Sequence, residues 1–130
     1  MAPLMHSPST LTIYLFGLSA LVLGIHNLLH PDTALTSLSL PASSLPTINA
    51  TSVAAVAMGL YYTLAAYQRN RPFYALTVPM RLLTAGVFWN QAPPGVSGRG
   101  WRTAALWEGG GALVTGLALA WERGVGKRRV

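Results

Sequence analysis

Two ionisable residues stand inside otherwise apolar segments of this chain. Glu108 lies near the start of residues 103–121, and Arg81 lies in the middle of residues 73–89. An ionisable side chain within such a segment is costly in lipid unless it is paired, neutral or facing a watery cavity. Glu108 could serve as a general acid or base, while Arg81 could orient an oxygen-bearing group. His26 could shuttle a proton, because histidine exchanges protons near neutral pH.

Helical spacing extends this pair into a candidate site. Thr77 and Thr84 fall on the same helical face as Arg81, and Ser19, His26 and His30 share a face of an earlier segment. We therefore predict a polar pocket among four helices with these catalytic and ligand-binding residues: Glu108 and His26; Arg81, Thr77, Thr84, Tyr61 and Tyr62. The alternative is an Arg81–Glu108 ion pair that only fixes helix register, with His26 bonded to a backbone carbonyl.

Other chemistries have less support in the sequence. His26 and His30 have the i, i+4 spacing of two helical metal ligands, with Asp32 and Glu108 as further candidates. No HExxH motif accompanies them, and we predict no metal site. The triplet 109–111 follows no strand and is not a phosphate loop, so no cofactor is predicted. The chain has no cysteine, which excludes disulfides and thiolate chemistry.

Composition indicates an integral membrane protein. The 130 residues suffice for a single domain, 1–130. Apolar residues make up 52% of the chain and charged residues 9%, against about 25% charged in soluble domains. The net charge of +6 comes from residues at segment ends, so the expected partner is a lipid bilayer and not nucleic acid.

Hydrophobic segments predict an all-α, four-transmembrane-helix bundle. At about 1.5 Å per residue, residues 103–121 span roughly 28 Å, close to the thickness of a bilayer core. The predicted spans are 10–29, 51–67, 73–89 and 103–121. A cleaved signal peptide competes for the first span, but the polar lead carries no Lys or Arg, which favours a retained helix.

The connections between the spans follow from proline and charge. Residues 35–50 read as a surface loop broken by Pro41 and Pro46, and Pro31 should end the first helix. Residues 68–72 form a tight basic turn, 90–102 a Pro/Gly loop and 122–130 a basic tail. Pro79 should kink the third span one turn before Arg81.

Basic residues predict the orientation. The side that holds both chain ends and the 68–72 turn carries Arg69, Arg71, Arg123, Lys127, Arg128 and Arg129. The other side carries only Arg99 and Arg102, so both termini are predicted to be cytoplasmic, in the endoplasmic reticulum or a related endomembrane. The sequon at Asn49 abuts a span, and we expect it to be unmodified.

Small residues recur at four-residue spacing, which allows close helix approach in lipid. The pairs and the triplet with this spacing are Ala20 and Gly24, Ala55 and Gly59, and Ala112, Gly116 and Ala120. We expect these positions to form helix–helix contacts. The glycines at 109–111 could also let the fourth helix press against a neighbour or a ligand.

The chain resembles small four-helix integral membrane proteins of unknown function that are common in filamentous fungi and have bacterial relatives. The residues that carry the resemblance are Phe16-Gly17, GIHNLLHP at 24–31, MGLYY at 58–62, PMRLLTAG at 79–86 and WEGGGALVTGL at 107–117. Such families often have Asp where this chain has Glu108. Some members look like neighbours of secondary-metabolite enzymes, which implies a role in the biosynthesis of lipophilic small molecules.

The leading hypothesis is therefore a membrane protein that binds a lipophilic small molecule around Arg81, Glu108 and His26. It would assist lipid or secondary-metabolite biosynthesis, with acid–base isomerisation or cyclisation as the chemistry. A non-enzymatic scaffold or assembly subunit is the alternative, with a membrane-protein partner or a homo-oligomer bound through small-residue faces. A transporter or channel component is a third hypothesis, limited by the small number of spans.

Overall fold

The computed structural model describes residues 7–128, and this part of the chain is helical without strands. It contains five α-helices: α1 (Pro8–Leu29), α2 (Pro31–Ser37), α3 (Leu45–Tyr67), α4 (Arg71–Gln91) and α5 (Arg99–Arg128). Two 3-10 turns, Ala42–Ser44 and Gly95–Gly98, precede α3 and α5. About 90% of residues 7–128 are helical, so the all-α prediction is confirmed.

The prediction of a surface loop over residues 35–50 is wrong. Helix α2 continues to Ser37, and α3 begins at Leu45, well before the predicted start at residue 51. The prolines explain the error, because they begin helices here. Pro31 occupies the first turn of α2 and Pro46 the first turn of α3, where a missing N–H costs nothing.

The last helix is longer than the predicted fourth span at both ends. It begins at Arg99 and continues to Arg128, so the predicted basic tail is part of the helix as far as residue 128. Arg129 lies outside the described residues. Helix α4 is continuous through Pro79. The predicted ends of the third span agree with α4 to within two residues.

Within residues 7–128, two helices are long and apolar enough to cross a membrane by length and composition. They are α1 and the stretch Ala42–Tyr67 that includes α3, with mean hydropathy of 1.7 and 1.3 in their most apolar windows. Helices α4 and α5 do not pass the same test. Arg81 and Pro79 lower the hydropathy of α4, while Glu108 and a run of glycines lower that of α5.

Glycine sets the close contact between α1 and α3. A Cβ atom on Gly59 would lie 2.6 Å from the Leu21 amide nitrogen, and one on Gly24 would lie 2.8 Å from the Val56 amide nitrogen. Both distances are shorter than real carbon contacts, so only glycine permits this approach. The expected role of Gly24 and Gly59 in helix packing is confirmed. Gly17 makes a third such contact, against Tyr62 and Thr63.

The four long helices meet around one apolar cluster. Its buried members come from every long helix and are Ile13, Phe16, Tyr62, Ala65, Ala66, Tyr74 and Leu119. Helix α4 packs mainly against α5, and α1 against α3. A smaller cluster of Ala34, Leu35 and Ile48 holds α2 against the start of α3.

Side-chain contacts define the two ends of the molecule. At the Glu122 end, Glu122 of α5 contacts Ser7 and Ser9 at the start of α1 and Arg71 at the start of α4. At the opposite end, here the α2 end, Trp101 Nε1 donates to the Leu38 carbonyl at 3.0 Å. The start of α1, the turn before α4 and the end of α5 therefore lie together, as the sequence predicted.

Candidate functional site

Arg81 is buried at the centre of the helix cluster. It lies midway along α4, with 3% of its surface exposed. Its Nε donates to Glu108 Oε2 of α5 at 3.2 Å. Its Cζ atom lies 3.5 Å from the centroid of the Phe16 ring, so a cation–π contact supports the guanidinium from α1. Three helices thus position this one side chain.

Gly111 makes room for the guanidinium. It lies three residues after Glu108, so both face Arg81 from the same side of α5. A Cβ atom at Gly111 would overlap Arg81 Nη2. The expectation that the glycine triplet lets α5 press against a neighbour is confirmed at this position. By contrast, a Cβ at Gly110 would meet nothing within 4 Å.

Arg81 keeps one buried nitrogen without a hydrogen-bond partner. Its Nη1 has essentially no exposed surface and meets no acceptor in the part of the chain that the structure describes. An unsatisfied buried donor on a charged group is costly, and native proteins avoid it unless a ligand or water supplies the acceptor. Among the described residues, it is the one buried side-chain nitrogen or oxygen without a hydrogen-bond partner.

A groove of about 330 Å³ runs along Arg81 between α1 and α5. Its lining is almost entirely apolar and consists of Thr12, Leu15, Phe16, Arg81, Leu106, Trp107, Gly110, Gly111 and Val114. Glu108 does not line it. The volume falls at the lower end of the range for small-molecule sites. The groove therefore combines apolar walls with a buried cation.

A second groove of about 230 Å³ lies between α3 and α4 and collects several of the predicted ligand-binding residues. Its lining residues are Met58, Tyr61, Tyr62, Phe73, Leu76, Thr77 and Met80. Tyr62 stands between the two grooves, since its ring contacts Phe16 at 4.9 Å and Phe73 at 5.1 Å between centroids. The structure therefore brings Tyr62 close to the Arg81–Glu108 pair.

The remaining predicted ligand-binding residues, Thr77, Thr84 and Tyr61, contribute less to the surroundings of Arg81. Thr77 is buried, but its hydroxyl donates to the Tyr74 carbonyl at 2.8 Å. The Thr84 hydroxyl donates to the Met80 carbonyl at 3.0 Å. Both hydroxyls are thus satisfied by their own helix. Tyr61 is 64% exposed on the outside of α3.

The expectation that His26 faces the interior with Ser19 and His30 is wrong. His26 is exposed, and its contacts are with Asn27, at 3.5 Å, and with the His30 ring. Helix α1 turns its glycine face toward α3, and a residue two positions beyond Gly24 points about 200° away from that face. The structure does not bring His26 to Glu108.

Sequence reasoning missed the polar cluster around Glu122. Its Oε1 accepts from the Ser7 hydroxyl at 2.6 Å and the Ser9 amide at 2.8 Å, and its Oε2 lies 2.7 Å from Arg71 Nη1. Burial acts to raise the pKa of Glu122, but the hydrogen bonds and the charge of Arg71 outweigh it and lower that pKa below its ordinary value. The available signal was spacing, because Glu108 and Glu122 stand about four helical turns apart on one face.

Within residues 7–128, no three His, Cys, Asp or Glu side chains converge as metal ligands. No family model matches the chain, and comparisons with curated proteins and with solved structures find no match. The resemblance to small four-helix membrane proteins stays a prediction. The case for function therefore depends on the geometry around Arg81.

Proposed function

We propose that this chain is a four-span membrane protein that binds a lipophilic small molecule beside Arg81. The observation that carries the proposal is the Arg81 guanidinium, which belongs to a side chain lining an apolar groove and has a buried nitrogen, Nη1, without a partner within residues 7–128. A hydrogen-bond acceptor on a bound molecule would give this guanidinium a further partner.

The distribution of polarity supports the membrane part of the proposal. Only 22% of the apolar window of α1 and 28% of that of the α3 stretch are buried, whereas a core helix of a soluble protein would be mostly buried. Large apolar side chains also cover the outside of α4 and α5, among them Leu76, Leu83, Leu113 and Leu117. Exposure of so large an apolar surface is unfavourable in water but not in lipid.

Helices α4 and α5 complete the proposed bundle in spite of their lower hydropathy. Arg81 is almost completely buried and Glu108 is partly buried, so neither side chain requires contact with lipid. By helical rise, Arg81 lies about 15 Å from the level of Arg71, close to half the thickness of a bilayer core. The pair would then stand near the middle of the membrane, where a lipophilic molecule can reach it sideways.

The proposed orientation places the Glu122 end in the cytoplasm. Arg69, Arg71, Arg123, Lys127 and Arg128 belong to this end, against Arg99 and Arg102 near the other. An endoplasmic reticulum or related endomembrane location, with both termini cytoplasmic, is part of the same proposal.

The geometry supports binding more directly than catalysis. Glu108 supplies a carboxylate next to Arg81, but it lines neither of the two grooves and is already engaged by Arg81 Nε. Acid–base isomerisation or cyclisation by Glu108 would require the ligand to displace that contact. We therefore place ligand binding first and a chemical step on the bound ligand second.

The test is co-purification from native membranes. The wild type and two variants, Gly110→Leu and Gly86→Leu, would be extracted in polymer discs without detergent, and bound small molecules identified by mass spectrometry. A Cβ at either glycine meets nothing within 4 Å, but only Gly110 lines the groove. We expect a compound that is enriched with the wild type and Gly86→Leu and lost with Gly110→Leu. Identical extracts from all three would overturn the proposal and favour the scaffold alternative.

A further inference from the structure

We propose that the ligand of this groove is an electrically neutral carbonyl compound with a hydrocarbon chain, such as a long-chain ketone, ester or quinone. Its carbonyl oxygen accepts a hydrogen bond from the Arg81 guanidinium, and its chain lies along the apolar walls between α1 and α5. This inference rests on the proposed function and names the class of ligand.

Charge balance excludes an anion as the preferred ligand. Arg81 and Glu108 are in contact, so the pair is already neutral. Within residues 7–128, no Asp, Glu, His or Lys lines either groove, and the Arg71–Glu122 pair stands about three helical turns away along α4. A carboxylate or phosphate would leave an uncompensated negative charge in a medium of low dielectric constant. A neutral acceptor adds no charge.

The donor geometry of Arg81 agrees with a single acceptor oxygen. Nε is used by Glu108, the face of the guanidinium lies on the Phe16 ring, and Nη2 lies against Gly111. Nη1 has essentially no exposed surface, so the guanidinium cannot present it together with a second nitrogen as two parallel donors toward the groove. Carboxylates and phosphates prefer two parallel donors from one guanidinium, whereas a carbonyl oxygen needs one.

The walls of the groove select a hydrocarbon. Leu15, Leu106 and Val114 are branched aliphatic residues, and Trp107 adds an aromatic face. Thr12 is the hydroxyl-bearing residue of the lining, and its oxygen is already paired with Thr115 at 2.9 Å. The walls therefore offer a ligand contact area but few free polar groups, so the carbonyl end would be held at Arg81.

The experiment uses the full chain in phosphatidylcholine nanodiscs with three probes of matched length: 2-heptadecanone labelled with ¹³C at the carbonyl, palmitate and heptadecane. Binding would be measured by scintillation proximity with tritiated probes. We expect saturable binding of the ketone, weakened about tenfold or more in Gly110→Leu and unchanged in Gly86→Leu. A leucine at position 110 would fill part of the groove and keep the carbonyl away from Arg81, and one hydrogen bond to a charged donor is worth roughly that factor. The ¹³C carbonyl stretch should shift to lower wavenumber on binding, and the double variant Arg81→Met with Glu108→Met should abolish this shift.

The outcomes separate the two proposals. If palmitate binds more tightly than the ketone and Gly110→Leu weakens it, the ligand is an anion and this inference is wrong, while the proposed function stands. If the ketone binds without a Gly110 effect or a carbonyl shift, the site is not the Arg81 groove and the inference is wrong. If no probe binds saturably, the inference is also wrong, and the co-purification experiment decides the proposed function independently.

Discussion

At the scale of single residues, the contacts of Arg81 and Glu108 decide whether this pair belongs to a binding site or is only a structural contact. Both readings start from the same ion pair, with Nε and Oε2 3.2 Å apart. A purely structural pair would satisfy its buried donors within the protein, because unpaired polar atoms in a low-dielectric interior are costly. The unpartnered Nη1 therefore favours a site, although the pair also links α4 to α5.

We expect the charges of Arg81 and Glu108 to contribute jointly, and not independently, to the free energy of unfolding. Arg81→Met leaves the Glu108 carboxylate without its partner, and Glu108→Gln leaves a buried guanidinium without a counter-charge. Each should lower the free energy of unfolding by about 3 kcal/mol, somewhat less for Gln because its amide oxygen still accepts from Nε. The double variant should cost less than the sum of the two. Reversible unfolding in mixed micelles measures all four proteins.

A matched control comes from the second ion pair. Arg71 is about half exposed, so Arg71→Met should cost about 1 kcal/mol or less. Strict additivity of the Arg81 and Glu108 effects would show that the two side chains contribute no interaction energy to the fold.

At this scale the sequence singled out Arg81 and Glu108, but it predicted neither their contact nor its surroundings. Two opposite charges in apolar segments are readable from composition, since each needs compensation. The Phe16 contact and the space at Gly111 depend on how three helices are rotated about their axes. The prediction that His26 faces the interior was wrong for the same reason. Periodicity shows which residues share a helix face but not which neighbour that face contacts.

At the scale of the helices, glycines at equal spacing have different functions. Gly59 lets α3 approach the α1 backbone at Leu21, whereas a Cβ on Gly116 would lie at 3.5 Å from Val78, an ordinary van der Waals distance. The four-residue pattern of small residues marks both positions alike. Only the packed structure shows which glycine is required and which leaves spare room.

We therefore expect opposite effects from one substitution. Gly59→Ala should lower the free energy of unfolding by about 1 to 3 kcal/mol, because its methyl group would force the two backbones apart. Gly116→Ala should be neutral or stabilise the protein by up to about 1 kcal/mol, since alanine favours helix and the space exists. Unfolding in mixed micelles measures both, with Gly86→Ala as the reference for an exposed helical position.

Equal losses for Gly59→Ala and Gly116→Ala would contradict this assignment of the α1–α3 contact.

The prolines show which helix ends could be predicted from the sequence. Sequence reasoning treated Pro31, Pro41 and Pro46 as breakers, but a proline in the first turn of a helix is tolerated and Pro31 and Pro46 mark such starts. A proline alone does not show whether a helix ends before it or begins at it.

At the scale of the whole molecule, the proposed topology puts the two ends on opposite sides of a membrane. The chain has no cysteine, so single cysteines can report each end. In sealed microsomes, Gly124→Cys near the Glu122 end should react with an impermeant maleimide. Ser97→Cys, in the turn at the α2 end, should react only after the membrane is permeabilised. Both positions are exposed in the structure.

Reaction of both cysteines without permeabilisation would contradict a membrane-spanning bundle, and the reverse pattern would invert the proposed orientation.

The order of the helix ends was predictable, because four successive long helices with short connections must alternate in direction. The basic residues predict which end is cytoplasmic, and the two cysteines test that prediction. The polar cluster that fastens one end was not predictable, since its residues come from three distant parts of the chain.

That cluster gives the whole molecule a dependence on pH. The pKa of Glu122 lies below its ordinary value because, against the effect of burial, the hydrogen bonds from Ser7 and Ser9 and the charge of Arg71 favour the carboxylate. A carboxyl with a depressed folded-state pKa stabilises the fold fully above its unfolded pKa, and this contribution is lost as pH falls through the folded value. Acid should therefore loosen the contacts between α1, α4 and α5 at this end.

We expect the stability advantage of the wild type over Glu122→Gln to be constant from neutral pH down to the usual carboxyl range. It should then shrink at lower pH, as the wild type loses its charge and the variant has none to lose. Unfolding in mixed micelles across this range measures the difference, and Arg71→Met should reduce it at neutral pH by removing one stabilising charge. A difference that grows as pH falls would mean that the Glu122 carboxylate is destabilised by burial more than its partners stabilise it. In that case the start of α1 would be held to α5 by the protonated acid.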